Sequence, residues 1–257
     1  MRKRRIVLDA LYVAGVQGLA MLGMMIAAML LLPICIFFGI DHPDSAAAAA
    51  GGAAVSSAIL LCRIKKRFPD AGGVFSLSGI FRRWGCALLF FTGYLLRCLL
   101  YSLAGGNCTI ALPRQTLAGH LLFAAAYSLL NALVLDAYGA RYLLKKGHGE
   151  RSAAIVFAVI AALYAGIDVF MRLTGGFCAS GIMRMLIAGL EHAAMTLLFI
   201  RSGSLCGRML FTAMGVLIWP DAQAYSLPLF GIDLFFVLCL CAVIRRLDGA
   251  AQEKKTA

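Results

Sequence analysis

Long apolar runs separated by short polar turns organise this chain. Taking stretches of about 17–25 apolar residues as one hydrocarbon thickness predicts eight spans. They lie near residues 11–38, 46–62, 84–104, 120–142, 152–171, 181–200, 209–219 and 229–244. The second is built on the Ala-rich run SAAAAAGGAAVSSAILLC, and the seventh is short because Pro220 follows Trp219. The run from Ile6 to Phe38 carries Asp9 as its one charge. It is much longer than a secretory h-region of about 7–15 residues, so it reads as a retained signal-anchor helix. The longest polar interruption, RIKKRFPDAGGVFSLSGIFRRW, leaves no room for a soluble domain. Within it, Val74, Phe75, Leu77, Ile80 and Phe81 stand between basic clusters, which suits an interfacial helix over 71–83 as well as it suits a plain loop. One integral membrane domain, 1–257, is the economical organisation.

Composition agrees with the pattern. Of 257 residues, 62% are hydrophobic and 14% charged, with a mean hydropathy of +0.88, where a soluble domain has about 45–50% apolar and about 25% charged residues. A water-soluble fold and a disordered chain are both excluded.

The net charge of +12 raises the question of a nucleic-acid partner, and the placement of the charge answers it. With the N-terminus cytoplasmic, 20 of the 24 Lys and Arg fall in cytoplasmic segments: 1–5, 63–83, 141–151, 201–208 and 245–257. Arg114, Arg172 and Arg184 fall outside, and Arg97 lies within a span. This asymmetry predicts both termini in the cytoplasm of a multi-pass cell-membrane protein. The partner of the basic residues is then the lipid bilayer, not a nucleic acid.

The nine cysteines show no C-x-x-C spacing, so neither a metal site nor a cofactor is expected. Cys108 and Cys178 alone fall in external segments, where an oxidising compartment would allow a disulfide. H-E-x-x-H, G-x-S-x-G and phosphate-loop motifs are absent.

Candidate chemistry therefore rests on charges at membrane depth, each costing at least about 2.5–3.5 kcal/mol on insertion scales and normally paired within the bundle. These are Arg97, Asp136, Asp168, Glu191, His192 and Asp233, with Arg141, Arg172 and Arg184 near span ends. Asp168 and Arg172 are four apart and share a helix face. Arg184 and Glu191 also share a face, two turns apart, whereas Glu191 and His192 diverge by about 100°. A structural ion-pair network is the default reading. Arg97, Glu191 and His192 are the binding candidates, and with Asp168 they would form the polar pathway of a transporter or channel subunit.

From Leu129 to Ile218 the chain runs through LDAYGARYLLKKGHGERSAAIVFAVIAALYAGID and then AGLEHAAMTLLFIRSGSLCGRMLFTAMGV. In order, spacing and basic turns this stretch, about a third of the chain, resembles the core of the CAAX protease and bacteriocin-processing (CPBP) intramembrane protease family. Members read E-E-x-x-x-R with a basic turn, F-x-x-x-H, a T-G-S-L turn, then H-x-x-x-N. RSGSL at Arg201–Leu205 is the nearest local match. On this resemblance Asp136 stands at the first glutamate and Ala137 at the second, while Arg141 keeps the arginine. Tyr164 and Asp168 stand at the phenylalanine and first histidine, Thr212 and Val216 at the second histidine and the asparagine.

The family's chemistry uses a glutamate as base on a water, with histidines and asparagine orienting the reacting groups. Asp136 lacks that help, so the resemblance implies a degenerate site marked by Asp136, Arg141, Tyr164, Asp168 and Thr212. The expectation is an all-α membrane protein that binds a partner membrane protein or a hydrophobic peptide rather than cutting it. The alternatives are a transporter subunit and a protease with an Asp136-based site. At α-helical spacing Asp136 and Arg141, five apart, sit about 140° from each other, so Asp136 needs a partner elsewhere.

Overall fold

The computed structural model describes residues 2–37, 45–69, 84–104, 108–110, 117–172, 179–220 and 226–256. Side chains at 2–4, 35–36, 84–91, 108–110, 168–172, 179, 218–220 and 247–256 lie outside the description. So do the expected interfacial helix over 71–83, the Cys108–Cys178 pairing and the Asp168–Arg172 pair.

The architecture is helical: α1 (Arg2–Phe37), α2 (Ser45–Arg67), α3 (Trp84–Leu103), α4 (Leu117–Lys145), α5 (Glu150–Arg172), α6 (Ala179–Ser202), α7 (Cys206–Leu217) and α8 (Leu227–Thr256). Two three-residue strands, Cys108–Ile110 and Ile218–Pro220, pair with each other. Among the described residues six helices are long and apolar enough to cross a membrane, within α1, α2, α4, α5, α6 and α8. The other two of the eight expected spans are not among these six. The third is the twenty-residue helix α3, of which only the second half has described side chains. The seventh is the twelve-residue α7, which at 1.5 Å per residue reaches about 18 Å, against a hydrocarbon core of about 30 Å.

The chain divides into two compact units. Unit 1 is Met1–Phe91, Thr109–Tyr142 and Ser204–Trp219, and unit 2 is Thr92–Cys108, Leu143–Gly203 and Pro220–Ala257.

In unit 1 the Ala-rich α2 lies between α1 and α4. Its small residues are what let it do so. Ala48, Ala50, Gly52, Ala53, Ser56 and Ser57 are buried, and a Cβ on Gly52 would collide with the Met24 carbonyl oxygen and fall 2.9 Å from the Ala28 nitrogen. Small residues admit this backbone approach, and in lipid that approach supplies the dispersion contacts holding helices together. The low-complexity run is thus a packing face. The outward face of α1 carries Leu8, Leu11, Leu19, Met29 and Leu30, each more than 60% exposed, which suits a helix solvated by acyl chains.

Unit 2 repeats the device. Gly189 of α6 meets the Ala158 carbonyl of α5, where a Cβ would sit 3.0 Å away, and Gly166 accommodates the Met185 side chain. The turn ending α4 is a Schellman motif: Gly147 at φ 81° donates to Leu144 O (2.9 Å) and His148 to Leu143 O (3.1 Å). The turn ending α6 closes with Gly203 at φ 66°, donating to Phe199 O (2.8 Å).

Candidate functional site

Two buried charge clusters and one aromatic cluster are built from side chains of different helices among the described residues.

The first is in unit 1. Residues Leu133–Ala140 form a π-helical segment inside α4, all eight of them buried. Hydrogen bonds there run i→i+5, so the 100° step assumed for Asp136 and Arg141 does not apply, and π turns recur at functional positions. Asp136, wholly buried, accepts a 2.8 Å hydrogen bond at Oδ2 from Arg208 Nε, whose side chain is 2% exposed. Oδ1 accepts no hydrogen bond from the described residues. The charge pattern assigns Arg208 to the cytoplasmic segment 201–208; its guanidinium is buried against Asp136, because a carboxylate at membrane depth needs a counter-charge.

The aromatic cluster lies where α1, α2 and α4 of unit 1 carry Tyr12, Arg67, Tyr138 and Tyr142. Arg67 Nη1 donates to Tyr12 Oη at 2.8 Å and Tyr138 Oη at 2.7 Å, and the two hydroxyls are 2.7 Å apart. The guanidinium lies 5.0 to 5.6 Å from the Tyr12, Tyr138 and Tyr142 ring centroids, within cation–π range. Phe68 packs edge-on to Tyr138. Tyr142 Oη donates to Asp9 at 3.0 Å, giving the lone charge of the first apolar run a partner.

The second charge cluster is in unit 2. Arg97 of α3 places Nη1 2.8 Å from Glu191 Oε1 on α6 and donates through Nε at 2.7 Å to Asp233 Oδ1 on α8. Tyr101 Oη donates to Asp233 Oδ2 at 2.5 Å. Exposure of the three charged side chains is 11%, 9% and 2%. The rings of Tyr94, Tyr101 and Phe236 surround the guanidinium at 5.6 to 5.7 Å. Phe236 approaches along Gly93, where a Cβ would stand 3.1 Å from its ring.

Of the residues expected to mark a degenerate protease site, Asp136, Arg141 and Thr212 belong to unit 1, with Arg141 and Thr212 partly buried; Tyr164 and Asp168 belong to unit 2. Tyr164 is 42% exposed on α5, and the Asp168 side chain lies outside the description. Of the binding candidates, Arg97 and Glu191 meet directly. His192 diverges from Glu191 as its position requires and places Nδ1 3.0 Å from the Ala188 carbonyl oxygen. Asp233, another of the expected intramembrane charges, completes the cluster. Arg184, on the same helix face as Glu191, lies seven residues away, and the cation at Glu191 comes instead from another helix.

The six apolar helices make this a multi-pass membrane protein. Comparison with protein-family models, with curated proteins and with solved structures gives no match.

Proposed function

We propose that the chain is a non-catalytic, CPBP-like protein of the cell membrane, with both termini cytoplasmic, that binds a hydrophobic peptide or a partner membrane protein. The observation that carries this reading is the Arg208–Asp136 pair. The residue at the position of the family's first glutamate is counter-ion to a buried guanidinium. Taking a proton from water would leave that guanidinium uncompensated in a low-dielectric interior, which makes Asp136 a poor general base. Arg208, Thr212 and Val216 recur every four residues and so share a face of α7, and Arg208 directs that face to Asp136. This supports the correspondence of Thr212 and Val216 with the family's histidine and asparagine. Neither replaces the electrostatic stabilisation those groups would supply.

The test uses the protein in liposomes with a labelled hydrophobic peptide of membrane-spanning length and a photo-cross-linking residue at Thr212. The expected result is cross-linking to intact peptide. Cleavage that Asp136→Asn abolishes would establish an Asp136-based protease, and absence of cross-linking would refute peptide binding.

A second reading, a transporter or channel subunit, is favoured by the Arg97–Glu191–Asp233 cluster, since charges retained at membrane depth often mark ion pathways. Ion or solute flux in liposomes that Asp233→Asn abolishes would select it.

A further inference from the structure

At the end of α2 the aromatic cluster presents a donor to the outside. Arg67 Nη1 spends its two hydrogens on Tyr12 Oη at 2.8 Å and Tyr138 Oη at 2.7 Å, and the two hydroxyls, 2.7 Å apart, share one bond. Two hydroxyls hold two hydrogens, so one is left over. Tyr138 is buried, whereas Tyr12 is 39% exposed. A buried hydroxyl keeps its hydrogen bonded, which makes Tyr138 the donor within the pair and turns the Tyr12 hydrogen outward. Among the described residues nothing accepts it.

Arg63 stands beside that hydroxyl. It lies one turn before Arg67 on the same side of α2, is exposed, and is close enough to Tyr12 to act on its hydroxyl electrostatically. Among the described residues Arg63 makes no hydrogen bond or ion pair. Two guanidinium groups and an outward O–H are thus neighbours, and the group that suits planar cationic forks together with a hydroxyl donor is a phosphate.

The same faces turn apolar toward the interior of the span. Val55 and Ile59, eight and four residues before Arg63, are exposed, as is Leu19, seven residues after Tyr12. At those spacings each shares a helix side with its donor. Helices α1 and α2 run antiparallel, with Met24 at Gly52 and Tyr12 at Arg67, so both apolar stripes lead away from the donors in one direction. Arg67 closes the apolar span Ser45–Arg67, which puts the donors at headgroup depth with apolar surface below them. Charge at the rim and apolar surface beneath match a phospholipid rather than a free anion. Because Arg63 has no carboxylate partner among the described residues, a lipid of net negative charge supplies the counter-charge.

We infer that Arg63, Arg67 and Tyr12 form a site for the phosphate of one anionic phospholipid, with an acyl chain along Val55, Ile59 and Leu19. Such a site differs from the general attraction of basic segments to a bilayer. Lys65 is exposed and likewise makes no hydrogen bond or ion pair among the described residues, but it stands about 160° round α2 from Arg63 and takes no part. The inference uses unit 1 alone and stands apart from both functional readings above.

The test titrates the full chain, delipidated in a neutral detergent, with phosphatidylglycerol or phosphatidylcholine and counts bound lipid by native mass spectrometry. The expected result is one phosphatidylglycerol per chain, bound at about one-tenth the concentration that phosphatidylcholine requires. Arg63→Gln should weaken phosphatidylglycerol binding about tenfold, the worth of one charge-assisted hydrogen bond. Lys65→Gln removes the same charge from the other side of α2 and should leave binding unchanged. Excess inorganic phosphate should not displace the lipid. Equal affinity for the two lipids overturns the inference. So does Arg63→Gln binding no weaker than Lys65→Gln, which would reduce the effect to surface charge, and so does displacement by inorganic phosphate, which would make the site one for a free anion. If Arg63→Gln does not fold, the lipid preference of the wild-type protein and its persistence in Lys65→Gln decide the matter.

Discussion

Arg208 Nε donates to Asp136 Oδ2 at 2.8 Å with both side chains sealed from solvent, so the short helix α7 is tied to the π-helical turn of α4 by a buried ion pair. Such a pair gives little net stability relative to an apolar replacement but is costly to break from one side. Arg208→Met or Asp136→Leu alone should each destabilise the protein by about 3–5 kcal/mol, because the surviving charge is left buried. The double variant should recover most of that loss. Denaturation in detergent with all three variants measures the cycle, and additive losses would show that the two residues do not act as a pair.

Close helix approach gives a second prediction. A Cβ at Gly52 would meet α1 backbone, which cannot rotate away as a side chain does. Gly52→Ala should force α1 and α2 apart and cost about 1–3 kcal/mol, the range of overpacked interiors. Gly15, also helical but with nothing within 4 Å, is the control: Gly15→Ala should leave the melting temperature unchanged or raise it. Equal behaviour of the two variants would remove the close approach.

Much of this was legible in the sequence. Apolar run length located all six spanning helices, since backbone in lipid must bond within its own segment and helices announce themselves by hydropathy. The charges within the eight predicted spans included Asp136 and all three members of the unit 2 cluster, because their cost in lipid makes each conspicuous. Their pairing was less legible. Arg208 follows a basic turn and looked like one more cytoplasmic charge, although a buried carboxylate in α4 required a cation from some other helix. The 100° step between Asp136 and Arg141 is not the step of the π-helical segment Leu133–Ala140, which nothing in LVLDAYGA signals. The packing role of the Ala-rich run of α2 is not legible in the sequence, since small residues show their purpose only against the helix they admit.

Arg67 and the tyrosines give a third prediction. Tyr138→Phe keeps the ring against Phe68 and the Arg67 guanidinium but removes the hydroxyl bonded to Tyr12 and Arg67. Its cost should be about 0.5–1.5 kcal/mol, that of an ordinary hydrogen bond. Arg67→Lys keeps the charge but loses the planar group that lies among the three rings and serves two hydroxyls, so it should cost more than Tyr138→Phe. Thermal unfolding of both variants checks the order; the reverse order would mean that the guanidinium geometry contributes nothing.

The turn after α4 gives the last prediction. Gly147 sits at φ 81° as the left-handed residue of a Schellman motif, donating to Leu144 O while His148 donates to Leu143 O. A Cβ at Gly147 meets no atom within 4 Å, so any cost of Gly147→Ala comes from backbone conformation alone. For an L residue in that region the cost is about 1–2 kcal/mol. Gly215 of α7 likewise has nothing within 4 Å of its Cβ position but is helical without a positive φ, so Gly215→Ala should gain about 0.5–1 kcal/mol by reducing the freedom of the unfolded chain. Measured side by side, the two variants should move the melting temperature in opposite directions. A Gly147→Ala protein as stable as the parent would show that the turn does not hold this conformation.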